Sequence, residues 1–137
     1  MTLSGAWAPL GVFVVHCVAS LGFDAYDRLP WFDVPMHVLG GLAIAYFIDR
    51  SLWLVLPPHA SFPRRRHVEA VLIFSLVCTG AVLWELAEFL ADRWAGTDSQ
   101  IGLEDTLGDL LVGMLGGLAY LSLRAILVLR PRGEPLG

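Results

Sequence analysis

Four apolar runs separated by polar connections divide the chain. The first goes from about Ala6 to Phe23, with His16 as its only ionisable residue. The polar connection Asp24 to Asp33 follows, then a second run from Val34 to Ile48 with Asp49-Arg50 behind it. Trp31 to Arg50 is 20 residues, roughly 30 Å of helix and about one hydrocarbon core. The third run goes from Val68 to Ala91, and the fourth from about Thr106 to Leu129. The pattern predicts an all-α membrane protein, one domain over residues 1–130, with transmembrane helices at about 6–23, 34–50, 68–91 and 106–129. Short connections make it an antiparallel bundle of four. SLWLVLPP after Arg50 is expected along the interface, ended by Pro57-Pro58. The tail 131–137 is expected to be disordered.

Composition agrees. The chain is 56% hydrophobic and 16% charged, against about 25% charged in a soluble domain. All nine basic residues are Arg, and no basic stripe suggests nucleic acid. Cys17 and Cys78 each lie inside an apolar run and read as small apolar fillers. The N-terminus lacks a basic segment, which disfavours a cleaved signal peptide.

The arginines set the orientation. Arg50 and Arg64 to Arg66 lie between the second and third runs, and Arg124, Arg130 and Arg132 end the fourth. The opposite side has only Arg28 and Arg93. Both termini are therefore expected in the cytoplasm of a bacterial inner membrane. Trp31 and Trp94 suit the outer interface, and Trp7 and Trp53 the inner one.

That topology brings distant acids to one depth. The second helix enters from outside with Asp33 and His37, the third leaves through Glu85, Glu88 and Asp92, and the fourth enters with Asp105 and Asp109. Each set keeps to one helix face. Asp33, His37, Gly41 and Ala45 are spaced i, i+4, and Asp105, Asp109, Gly113 and Gly117 repeat that spacing 72 residues later, a hint of two parallel helix-pair repeats. Small residues below the acids allow close helix approach in lipid, and Gly113-x-x-x-Gly117 is a recognised packing pattern.

The plain readings come first. Asp33 and Asp105 can act as N-terminal caps alone. Asp24, Asp27, Asp92, Asp98 and Glu104 read as solvated loop acids, Asp49-Arg50 as an interfacial ion pair, and His16 as a hydrogen-bonded core histidine. Glu85, Glu88 and Asp109 lie inside their helices and resist such treatment. Carboxylates converging in low dielectric need protons, an arginine or a metal. Arg93, and Arg28 folded over the mouth, do not obviously neutralise them. The candidate catalytic residues are Glu85, Glu88 and Asp109. The candidate metal ligands are His37, Glu85, Glu88, Asp105 and Asp109, with His16 as an outlying member. Such an oxygen-rich set suits Mg, Mn, Fe or Zn as a divalent cofactor.

DVPMHVLGG (Asp33 to Gly41), WELAEF (Trp84 to Phe89), the loop GTDSQ and EDTLGD (Glu104 to Asp109) resemble the signature segments of the YjdF-like inner-membrane protein family. More distantly the order is similar to VanZ-like proteins, though Asp109 stands where those tend to carry Asn. The resemblance covers about residues 30 to 120. It implies four-helix membrane architecture and the same polar positions, in a family without an assigned activity. Three function classes stay open: a metal-assisted membrane enzyme acting on a lipid or lipid-linked substrate, a proton or cation pathway, and a structural or assembly module with a polar core.

Overall fold

The computed structural model describes residues 5–55 and 65–129, and the elements among them are all helical. Helix α1 is Trp7–Cys17, continued by a wide π turn at Val18–Gly22. Asp24, at φ 48°, reverses the chain, a left-handed conformation that Asp tolerates better than most residues. The short α2, Ala25–Arg28, and a 3-10 turn, Pro30–Phe32, lead into α3, Asp33–Val55. Helix α4 is Arg65–Ala95, and Gly96 ends it at φ +70° in the position where a left-handed glycine commonly stops a helix. Helix α5 is Leu103–Leu129, with Glu104 and Asp105 in the first turn, where acids suit the helix dipole.

Three helical stretches are long and apolar enough to cross a membrane: Pro30–Val55, Arg65–Ala95 and Leu103–Leu127. The first run is shorter than expected. Trp7–Gly22 is about 24 Å long at the helical rise, under the ~30 Å core, because the chain turns at Asp24. Helix α3 runs past Arg50 to Val55, so Ser51 to Val55 continue the helix. No glycine or proline interrupts them, and the Ser51 hydroxyl donates to the Phe47 carbonyl at 2.8 Å. Pro57-Pro58, Arg64, Arg130, Arg132 and the tail lie outside the described residues.

Successive long helices alternate in direction. Trp7 meets Tyr46 while Phe13 meets Trp84. His37 faces Glu85 and Asp109, and Asp49 faces Tyr120 and Arg124. Helices α3 and α5 thus run parallel, with α4 antiparallel to both. Helix α3 is the hub: it packs on α1, α4 and α5, whereas α1 packs chiefly on α3.

The α3–α5 contact is backbone on backbone. A Cβ at Gly41 would collide with the Gly113 carbonyl, and one at Gly116 with the Val38 carbonyl. At Gly117 it would stand 2.8 Å from Val77 Cγ1. At Gly113 the nearest atoms lie 3.7 Å away, so there a methyl fits. The closest points are therefore Gly41 and Gly116, and Gly113 contributes its carbonyl surface. Glycine at these points lets helices approach where lipid supplies no hydrophobic drive.

Polarity is inverted relative to a soluble domain. Large apolar side chains such as Leu21, Val71, Leu83 and Leu107 face outward. The buried set contains Asp49, Glu69, Glu85 and Asp109. Two of these form an ion network at the Arg124 end. Arg124 Nη2 donates to Glu69 Oε2 at 2.6 Å and lies 3.2 Å from Asp49 Oδ1. Arg65 Nε donates to Glu69 Oε1 at 2.8 Å, and the Tyr120 hydroxyl donates to Asp49 Oδ2 at 2.7 Å. The expected Asp49-Arg50 pair is replaced: Asp49 points into the bundle to Arg124, while the Arg50 stem packs near Gly5. Ala45, Ile73 and Val77, all fully buried, form an apolar layer above this network.

Two expectations follow. Gly41→Ala and Gly116→Ala will each destabilise the bundle by about 1–3 kcal/mol through overpacking, while Gly113→Ala will be neutral or stabilising, as Ala favours helix over Gly. Thermal unfolding in detergent checks the ranking, and equal losses at all three positions would reject it. Arg124→Met will cost about 3–5 kcal/mol by stranding buried carboxylates. Arg124→Met/Asp49→Asn will recover part of that loss in the same unfolding measurement.

Candidate functional site

At the opposite end from Arg124, three helices bring their ionisable residues together. His37, one turn into α3, is the centre. Its Nε2 lies 3.3 Å from Asp33 Oδ1 and 3.9 Å from Asp109 Oδ1. Its Nδ1 lies 3.8 Å from Glu85 Oε1. Two ligand-like groups share the ring: Asp33, His37 and Asp109, and His37, Glu85 and Glu88, with donor atoms within 4.8 Å of one another in each. Glu85 and Asp109 are each 6% exposed. Glu85 Oε1 is buried without a hydrogen-bond partner.

The surrounding side chains hold the carboxylates in place. The Trp84 indole N–H donates to Glu88 Oε1 at 2.9 Å, one turn along α4. Gln100 reaches in from the α4–α5 loop, its amide N–H donating to the Glu85 carbonyl at 3.0 Å and to Glu85 Oε2 at 3.4 Å. Asp92 shapes that loop by accepting from the Thr97 hydroxyl and from the backbone N–H groups of Ser99, at 2.9 Å, and Gln100, at 2.8 Å. It is a structural acid, not merely a solvated one. The Tyr26 hydroxyl lies 2.7 Å from His16 Nδ1. Burial, and then the nearby Asp33 and Glu88 charges, push this phenol up, so it stays protonated as a donor and His16 Nδ1 accepts.

The structure brings His37, Glu85, Glu88 and Asp109 together and leaves Asp105 out of both groups, one turn before Asp109 on α5. His16 also stays outside them: its ring stacks edge-on against Trp84 at 4.9 Å and is occupied by Tyr26. Asp33 faces His37 across one helical turn, and no side-chain cap is needed to explain it. Neither arginine near this end is paired with the cluster. Arg28 sits 3.6 Å from Asp24, both exposed, and Arg93 is exposed. Sequence reasoning missed Gln100 and Tyr26, and it placed Asp33 beside His37 but left it out of the ligand set, with capping alone as its plain reading. The Asp-x3-His spacing was the available signal for Asp33, and the GTDSQ segment, which ends at Gln100, was the signal for the loop.

A cavity of about 330 Å³ opens beside His37 between α1, α3 and α4. His16, Asp33 and His37 are its ionisable lining, and apolar residues and glycines make up the rest.

Comparison with known proteins gives a family and no activity. Residues 5–130 match the family described as predicted membrane protein DUF2238. An uncharacterized protein of Thermotoga maritima is 29% identical over 103 residues, which is 74% of this chain and 52% of the relative. The chain thus spans about half the length of that relative. No solved structure matches. With apolar helices throughout and a match over nearly its whole length, the chain belongs to the DUF2238 family of multi-pass membrane proteins, in keeping with its YjdF-like signature segments.

Proposed function

We propose that the protein crosses the bacterial inner membrane four times, holds a divalent cation at its outward end on His37, Asp33 and Asp109, and acts there on a lipid or lipid-linked substrate. One observation carries this reading: a single imidazole stands among four carboxylates from three helices, while among the described residues the arginine ion pairs are made with Asp24, Asp49 and Glu69. Unit charges 4 Å apart interact by about 4 kcal/mol at an effective dielectric of 20, so such a cluster calls for a cation or for bound protons. Donor atoms about 2.1 Å from one metal stand about 3.0–3.4 Å apart at octahedral or tetrahedral angles. The Asp33–His37 separation of 3.3 Å fits that spacing, and the Asp109 separation of 3.9 Å needs a small inward shift.

Glu85 has a different part in this arrangement. A carboxylate facing the second ring nitrogen fixes the tautomer and leaves Nε2 free as a ligand. Glu85 Oε1 faces Nδ1. Glu88, held by Trp84, remains as the carboxylate able to take up or deliver a proton. A cation at this place would supply a Lewis acid. The orientation rests on Arg50, Arg65, Arg66 and Arg124 at the opposite end, with exposed Trp31 and Trp94 at the site's end. The first, shorter helix is counted as a crossing because its π turn and α2 bring the chain back to the level of Asp33. The apolar layer of Ala45, Ile73 and Val77 argues against a continuous chain of ionisable groups through the protein.

Elemental mass spectrometry of purified protein, after equilibration with Mn, Fe or Zn, tests the proposal. About one divalent ion per chain is expected, lost in Asp109→Asn and His37→Ala and unchanged in Asp105→Asn. Glu85→Gln is expected to weaken affinity by about 10–100-fold. Metal-free wild type, or full occupancy in Asp109→Asn, would overturn it.

A further inference from the structure

The cavity beside His37 has a polarity gradient along its length. Asp33, His16 and His37 form one end. Gly40, Ile44, Val77 and Gly80 form the other. Its α3 wall runs from Asp33 to Ile44, about 16 Å at the helical rise, or roughly half of a ~30 Å hydrocarbon core. The polar end lies at the rim of the bundle and the apolar end near its middle. A lipid within one leaflet has the same order, head at the rim and chain toward the midplane.

The cavity is also reachable from the side. Helix α1 packs chiefly on α3 and shares no extended contact with α4. It meets α4 through the rings of Phe13 and His16 against Trp84. On either side of those rings α4 lines the cavity with small residues, Ala81 toward the middle of the bundle and Ala87 toward the polar rim. At about 330 Å³ and elongated along α3, the cavity has room for a hydrocarbon chain.

We infer that this cavity binds one hydrocarbon chain of a membrane lipid, entering between α1 and α4, with its polar head at Asp33, His16 and His37. The inference rests on the outward-site reading above and narrows its substrate class to a lipid that places a chain in the cavity. Gly40 sets the free width: a Cβ there has nothing within 4 Å, so a large side chain enters the cavity without touching the packed backbone. Gly41, next to it, has no such freedom.

The test uses the full chain in phospholipid nanodiscs with lysophosphatidic acid spin-labelled near the chain terminus. Electron paramagnetic resonance reads the immobilised nitroxide per chain, with lysophosphatidylcholine carrying the same label as the head-group arm. Wild type is expected to hold about one immobilised probe per chain beyond the boundary lipid. Gly40→Phe should lower its affinity at least tenfold, with thermal unfolding unchanged. Should Gly40→Phe fail to fold, Ala87→Phe narrows the same mouth from an exposed position on α4. Asp109→Asn separates the two readings, since it removes metal while leaving the chain cavity intact. Retained immobilisation in Asp109→Asn supports the chain site whatever its metal content. Retention of the phosphate probe and the choline probe alike in folded Gly40→Phe or Ala87→Phe would overturn it.

Discussion

The contact of Gly41 with the Gly113 carbonyl surface brings His37 and Asp109 together at one end of the bundle. Both glycines sit one turn below an ionisable residue, His37 on α3 and Asp109 on α5. When the two backbones touch, those side chains have nowhere to go but toward each other. Helix α4 then closes the third side, its Glu85 facing the ring from across the bundle. A larger residue at Gly41 would push α5 outward and move Asp109 away from His37. Site geometry and helix packing therefore have one cause.

The same inverted arrangement explains why the two polar ends differ. At the Arg124 end the acids Asp49 and Glu69 meet two arginines and a tyrosine, and their charges are matched within the bundle. That is how a buried network is kept when its role is to hold helices in register. At the His37 end four acids meet one imidazole; each end has one buried carboxylate oxygen without a hydrogen bond, Asp49 Oδ1 beside Arg124 at 3.2 Å and Glu85 Oε1 beside His37 at 3.8 Å. Stability alone does not favour leaving charges so poorly matched. The contrast within one small bundle sets a network matched by arginines apart from one that has a single imidazole.

Much of this was legible in the sequence because membranes make depth computable. Apolar runs of fixed rise put His37, Glu85, Glu88 and Asp109 at a common level before any contact was known, and the i, i+4 stripes put small residues beneath them. The limits are equally physical. Face and depth do not fix azimuth, so Asp105 looked equivalent to Asp109 although only the latter joins the groups around His37. The Gly113-x-x-x-Gly117 pattern pointed at the right surface but not at the tightest point, because close approach depends on what lies opposite each glycine. Gln100 reaches Glu85 only through a loop folded on Asp92, and loop geometry carries no periodic signal. Asp49 beside Arg50 suggested a local pair, yet neighbours in a helix point to different faces, and Asp49 turned inward to α5.

The offset of 72 residues between the Asp33 and Asp105 stripes takes on meaning from the packing. Helices α3 and α5 run parallel and touch through equivalent positions, Gly41 against Gly113, with His37 beside Asp109. In the repeat comparison the histidine of one stripe corresponds to the aspartate of the other. Two identical stripes would place either two imidazoles or two carboxylates at that point. The observed pair joins a nitrogen donor to an oxygen donor, the combination that borderline divalent ions favour. The departure at His37 and Asp109 changes the donor set, while the glycine at which the two stripes touch, Gly41 on α3 and Gly113 on α5, is kept in both; Gly116 and Gly117 have Ile44 and Ala45 as their counterparts.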